Sequence, residues 1–168
     1  MKIIEGLKKV KELQRKSEDL RKKISEHSAN LSYETPVYKD QETQVKEWLQ
    51  AHEDISQEIL GLRLAIQKTN LETSVTIELG NKSITKSIAG WIHRRKDLAK
   101  NDAAAWRNLT DKNLQDAKVK QSNGEILDVK IIRYYDPRFR DLKISLYDSE
   151  PSIIDGKLEV VNAVTELI

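Results

Sequence analysis

Apolar residues recur every three and four positions along the start of the chain. Ile3, Val10, Ile24 and Leu31 share one heptad position and Leu13 and Leu20 the other, with Gly6, Ser17 and His27 in the remaining slots. Two apolar positions in seven make the narrow stripe of a coiled-coil seam. Pro36 interrupts the pattern, because it lacks the N–H a helix interior needs and biases Thr35 towards extended geometry. Lys39 or Asp40 starts a second helix, with Asp40 and Glu42 favourable near its positive end. The grid of that helix is Val45, Trp48, His52, Ile55, Ile59, Leu62 and Ile66. Two such helices joined by about ten residues fold back as an antiparallel hairpin. The predicted hairpin covers residues 1–70. Its seam is Ile3, Val10, Leu13, Leu20 and Ile24 against Val45, Trp48, Ile55, Ile59, Leu62 and Ile66. In this register Leu13 lies near residue 57 and His52 near residue 18.

The period then changes. Val75, Ile77 and Leu79 alternate up to Gly80-Asn81, and Lys82-Ser83-Ile84 follow, which reads as a β-hairpin. Ser83 or Thr85 is placed to cap the next helix. That helix carries Ile88, Trp91, Ile92, Leu98, Ala99, Ala105, Trp106 and Leu109, and either runs to about residue 117 or restarts at Asp102. Asn123-Gly124 signals a second β-hairpin ahead of the β-rich run Ile126–Tyr135. Asp136-Pro137 is a helix start. Pro151 is read as opening a final helix with the stripe Ile153, Ile154, Leu158, Val161, Val164, Leu167 and Ile168. Residues 71–168 are thus expected to form a small head with two β-hairpins and two to four helices. The fold class is α+β, mainly α.

Composition narrows the functional field. Charged residues are 33% of the 168, yet the net charge is only +2. Residues 1–27 carry net +4 and residues 39–68 net −2, so the two hairpin helices attract each other. There is no cysteine, which removes disulfides, thiolate metal sites and thiol catalysis. No apolar run approaches the length that spans a bilayer, and the charged start MKIIEGLKKVKEL has no signal-peptide core. A cytoplasmic protein with no membrane association is expected.

The chemistry-bearing residues form no catalytic pattern. His27, His52 and His93 have no histidine partner at ligand spacing. No nucleophile elbow is present, and the six glycines lie too far apart for a phosphate loop. The expectation is a protein that is not an enzyme and takes no metal or cofactor. Basic clusters are the remaining candidates. Lys8, Arg15 and Lys22 approximate one row of the first helix, and His93, Arg94, Arg95 and Lys96 follow Trp91. Both groups suit phosphate contact. Glu5, Glu12, Glu18, Asp19 and Glu26 interrupt the first row, so a mixed coiled-coil surface explains it as well. Trp91 and Trp106, at helical spacing with Ile88, Leu98 and Leu109, read as core.

Gln67-Lys68-Thr69-Asn70, then Leu79-Gly80-Asn81-Lys82-Ser83-Ile84, then Ala99-Lys100 follow the order of helix end, turn and helix start. Over about residues 1–105 this order resembles the septicolysin-like family of small helical proteins, which implies a mainly helical fold and, through the family's name alone, pore formation. The tail from Tyr134 to Ile168 looks like small accessory proteins of tailed-phage structural modules, which implies a virion or assembly role. Seam helices of this kind usually meet further copies. The leading expectation is therefore a non-enzymatic structural or assembly protein working through protein–protein contact. It would form a homo-oligomer, with capsid, portal or tail proteins as partners if of phage origin and then located in the virion. A nucleic-acid-associated protein using its basic helix faces is the alternative.

Overall fold

The structure, a computed structural model, describes residues 1–168. It is mainly helical with two small antiparallel β-hairpins, the α+β, mainly α class that the patterning implies. The chain divides into two compact units, residues 1–73 with 158–168, and residues 74–157.

The first unit is the helical hairpin. Helix α1 (Ile3–His27) starts where the Glu5 carboxylate accepts the Lys2 backbone N–H at 2.9 Å. Helix α2 (Gln41–Glu72) is capped by Asp40, which accepts from the Thr43 N–H at 3.1 Å and the Thr43 hydroxyl at 2.8 Å. The heptad positions are the ones that lose solvent. Ile3, Val10 and Leu13 are buried on α1, and Trp48 and Ile66 on α2. Leu20, Ile24, Val45, Ile55, Ile59 and Leu62 are half-buried, and from Glu5 to His27 every position off the grid is exposed. Leu31 lies past the end of α1 and is exposed, so it is no part of the seam. Lys9 of α1 and Glu58 of α2 pair at 2.5 Å, as the opposite charges of the two helices suggest.

The last eleven residues were expected in the head and instead belong to this unit. The Ile3 N–H donates to the Thr165 carbonyl at 2.9 Å, the Leu167 N–H to the Met1 carbonyl at 2.8 Å, and the Ile168 N–H to Thr69 Oγ1 at 3.0 Å. Gly6 is the socket for this segment: a Cβ there would lie 2.9 Å from Leu167 Cδ1. Thr69 extends the α2 grid one step further, fully buried, and donates to the Ala65 carbonyl at 2.9 Å. Two narrow stripes cover each other along the hairpin but leave its open end uncovered, and the C-terminal segment closes that end.

The second unit opens with β1 (Ser74–Leu79) and β2 (Lys82–Ser87), antiparallel neighbours. Gly80 and Asn81 both have positive φ (54° and 64°), the tight turn whose twist matches its strands. Ser83 and Thr85 lie within β2; the helix cap is Ser87, whose Oγ accepts the Gly90 N–H at 3.1 Å. Helix α3 (Ile88–His93) passes through a π-helical turn, Arg94–Leu98, into α4 (Ala99–Arg107). The helical run is therefore continuous across Asp102 and stops ten residues short of 117.

Strands β3 (Ala117–Lys120) and β4 (Ile126–Val129) form the second hairpin. Its loop is longer than the two-residue turn that Asn123-Gly124 suggests. The Gly124 N–H donates to the Gln121 carbonyl at 3.0 Å, and Gly124 takes the left-handed φ of 86°. Helix α5 (Pro137–Val164) starts at Asp136-Pro137 as expected, but Pro151 lies inside it. Its residues to 157 count in this unit and the remainder in the first.

A polar clasp organises the loop between α4 and α5. Asp111 accepts from Arg133 Nε at 2.8 Å, Arg133 Nη2 at 2.6 Å and the Tyr135 hydroxyl at 2.8 Å. Hydrogen bonds from Arg133 and then Tyr135 hold the Asp111 carboxyl down to about 2, from an ordinary 3.8. A depressed carboxyl stabilises the fold above its ordinary value, and that contribution is lost as pH falls towards the folded value. The clasp is thus expected to be complete above about pH 4–5 and to loosen between about pH 4 and 2. Carboxyl-carbon NMR should place the Asp111 midpoint near 2, and Arg133→Gln should move it upwards. An Asp111 midpoint at its ordinary value in the unaltered chain would contradict the clasp.

Candidate functional site

The first β-hairpin has two unlike faces. Val75 pairs with Lys86, Ile77 with Ile84 and Leu79 with Lys82, so these six share one face. The opposite face is polar: Thr76 and Thr85 hydroxyls meet at 2.7 Å, and Ser83 donates to Glu78. Val75 and Ile77 are buried, so Lys82 and Lys86 stand on the apolar face. Trp91 closes its floor. The indole is fully buried, its Nε1–H donates to the Val75 carbonyl at 2.8 Å, and Lys86 Nζ lies 5.9 Å from its ring centre.

Helix α5 supplies the other wall with Lys143, Leu146, Tyr147, Glu150 and Ile153. The space between is a groove of about 370 Å³, within the size range of sites that bind small molecules or a few side chains. The Gly80 turn comes close to this wall: a Cβ there would lie 3.2 Å from Leu146 Cδ2, and the positive φ disfavours one in any case.

Electrostatically the groove is lopsided. Arg94 grips Glu150 through two hydrogen bonds, Nε to Oε1 at 2.5 Å and Nη2 to Oε2 at 2.8 Å, and also donates to Asp102. Its guanidinium lies 5.3 Å from the Tyr147 ring centre. Glu150 first, then Asp102, hold the Arg94 cation above the usual arginine range. Glu150 is only 5% exposed, so its charge is spent on Arg94. Lys82, Lys86 and Lys143 take part in none of the chain's ion pairs. The groove is therefore bordered by three lysines that make no ion pair, Lys143 Nζ lying 5.3 Å from the Phe139 ring centre, around leucine, isoleucine and aromatic side chains. That combination suits a ligand carrying negative charge beside apolar groups.

The basic residues singled out in the sequence are scattered in role. Arg94 is locked as above, and Arg95 pairs with Asp155 at 2.6 Å. His93 and Lys96 are exposed. Four consecutive cationic positions therefore do not make one open patch, because α5 supplies acids to the two central ones. On α1, Lys8, Arg15 and Lys22 are exposed and make no ion pair, whereas Lys9 and Lys16 are held by Glu58 and Glu12.

The histidines stand apart, and no three His, Asp or Glu side chains converge as a metal site would require. His52 lines a shallow cleft with Ser17 and Glu18, the register expected of it. His27 packs with Tyr38 and Trp48, ring centres 5.2–5.6 Å apart. Trp106 packs edge-on against Phe139 at 5.5 Å. No helix is long and apolar enough to cross a membrane.

Lys82, Lys86, Lys143 and Glu150 were not anticipated. A signal for two of them was present: strand alternation places Lys82 and Lys86 in register with Leu79 and Val75, where cations are out of place unless they face a ligand or a rim.

No protein-family model matches this chain, and no curated protein does. The crystal structure of a functionally unknown conserved protein from Corynebacterium diphtheriae is similar in fold, with a TM-score of 0.58 at 20% identity. The match covers 100% of this chain and 99% of that one. The likeness shows a shared fold.

Proposed function

We propose that this chain is a non-enzymatic interaction protein of a larger assembly, and that the groove between the first β-hairpin and α5 docks an acidic segment of a partner protein. The observation that carries this reading is the set of three unpaired lysines, Lys82, Lys86 and Lys143, around an apolar floor sealed by Trp91. An acidic side chain would meet the ammonium groups while a neighbouring leucine or phenylalanine enters the groove. Exposed charge pairs contribute mainly rate and selectivity, and the apolar insertion supplies most of the affinity. The most concrete form of the proposal, a component of a tailed-phage particle or its assembly, is supported by the likeness of residues 134–168 alone.

Selection from a displayed library of random peptides tests the groove. Enriched sequences are expected to pair Asp or Glu with Leu, Ile or Phe. Their binding should fall about tenfold or more with Lys82→Glu and Lys143→Glu together, and should weaken with salt. Enrichment without acids, or equal binding by the charge-reversed variant, would count against the groove.

A second reading keeps one specific support. Lys8, Arg15 and Lys22 form an unpaired row on α1 that suits a phosphate backbone. Binding to duplex DNA or RNA that falls steeply with salt, and that is lost on replacing these three residues with glutamine, would favour it.

A further inference from the structure

Helix α2 has a second apolar row, away from the seam. Leu49, Leu60, Leu64 and Leu71 are each more than half exposed, at 51–59%. At 100° per residue they fall within about 60° of one another, on an arc they share with Glu53 and Gln67, and the row is about 33 Å long. The seam positions centre roughly 130° away around the helix. This row therefore faces away from α1. Its spacing also differs. The seam follows sevens, whereas Leu49, Leu60 and Leu71 are eleven residues apart, about three turns.

That spacing reads the same from both ends. An isologous contact requires that where residue i faces residue j, j also faces i. An antiparallel pair of α2 helices centred on Leu60 meets the requirement: Leu60 faces itself and Leu49 faces Leu71. Leu64 then lies over Ser56, the small side chain that leaves room for it. The charges agree as well. In this register Glu53 of one copy falls opposite Gln67, beside Lys68 and about one turn from Arg63. Within the chain the two long helices make the ion pairs Lys9–Glu58, Lys16–Glu12 and Lys46–Glu42. Glu53, Arg63 and Lys68 remain free for a partner, twice over by symmetry.

We infer that α2 carries a self-association surface on which a second copy of this chain docks antiparallel, with Leu60 on the twofold axis. It concerns a different unit from the groove, and either can fail without the other.

The absence of cysteine makes the test clean. Leu60→Cys puts one thiol on the axis, where two copies bring their Cα atoms within disulfide reach of about 7 Å. Leu49→Cys puts one far from its own symmetry mate. Both positions are exposed in the single chain, so both variants should fold as the unaltered chain does. Under mild oxidation at micromolar concentration, Leu60→Cys is expected to link into dimers at least an order of magnitude faster than Leu49→Cys. A mixture of Leu49→Cys and Leu71→Cys chains should link fast as heterodimers. Light scattering of the unaltered protein should show a dimer that Leu60→Glu dissociates. A monomer, equal linking rates at positions 49 and 60, or a dimer that Leu60→Cys does not link would each overturn the inference.

Discussion

Trp91→Ala is expected to destabilise the unit of residues 74–157 by about 3–5 kcal/mol, the range for emptying a large aromatic site in a core. Trp91 is fully buried, so no solvent-exposed conformation softens the loss. Its indole also ties α3 to β1 through the 2.8 Å bond to the Val75 carbonyl. The substitution thus opens a cavity and leaves a buried acceptor without its donor. Trp91→Phe separates the two effects. It keeps most of the ring and removes the N–H, with an expected loss of about 1–3 kcal/mol. Where the whole chain unfolds together, each kcal/mol moves the midpoint by about 2–4 °C, so Trp91→Ala should lower the thermal midpoint by roughly 6–20 °C. Near-ultraviolet dichroism and calorimetry measure it. A loss below about 1 kcal/mol would show that Trp91 is not the keystone of the hairpin–helix contact.

Arg94→Ala should cost a similar amount, about 3–5 kcal/mol, because it strands the Glu150 carboxylate without its cation. The reverse deletion is not equivalent. In Glu150→Ala the Arg94 guanidinium still holds Asp102, and its side chain is more exposed than that of Glu150 (17% against 7%). Glu150→Ala should therefore be the milder of the two. Arg94→Lys should rescue little, since an ammonium cannot make the two parallel bonds of the guanidinium fork. Replacing both partners together, Arg94→Met with Glu150→Leu, should restore most of the stability, because no charge is then left buried. Chemical denaturation of the four variants tests the ordering. If Glu150→Ala proves the more damaging, Asp102 is not the second anchor of Arg94.

The second effect centres on a buried ion pair that reading the chain locally misses. Arg94 falls on the apolar side of its helix, in line with Ile88 and Trp91. Glu150 falls on the apolar stripe of α5, in line with Leu146, Ile154 and Leu158. A lone charge on each of two stripes is the signature of a pair. The second stripe is hidden as long as Pro151 is taken to start a new helix. A proline inside a helix removes one backbone bond and strains the preceding turn, at about 3 kcal/mol. Here that penalty is met from both sides. Glu150 is anchored just before Pro151, and Ile154 and Leu158 are buried just after it. Tertiary packing outweighs the local preference.

The same contrast runs through the rest of the chain. The heptad grid marks two helices whose narrow stripes must cover each other, and it sets His52 beside Ser17 and Glu18, because a slip would expose a seam residue. Alternation with Gly80-Asn81, and the Asp136-Pro137 start, likewise placed the first β-hairpin and the start of α5, since turns and caps are set by a few neighbouring residues. What closes the open end of the hairpin could not be read that way. The segment 158–168 has an ordinary amphipathic pattern, and only the fold brings Leu167 to Gly6 and Ile168 to Thr69. The groove is of the same kind. Its lysines come from β2 and α5, more than fifty residues apart, and no local period links them. Sequence period decides what a segment must cover; which distant segment covers it, and which charges are left free there, is decided only when the chain has packed.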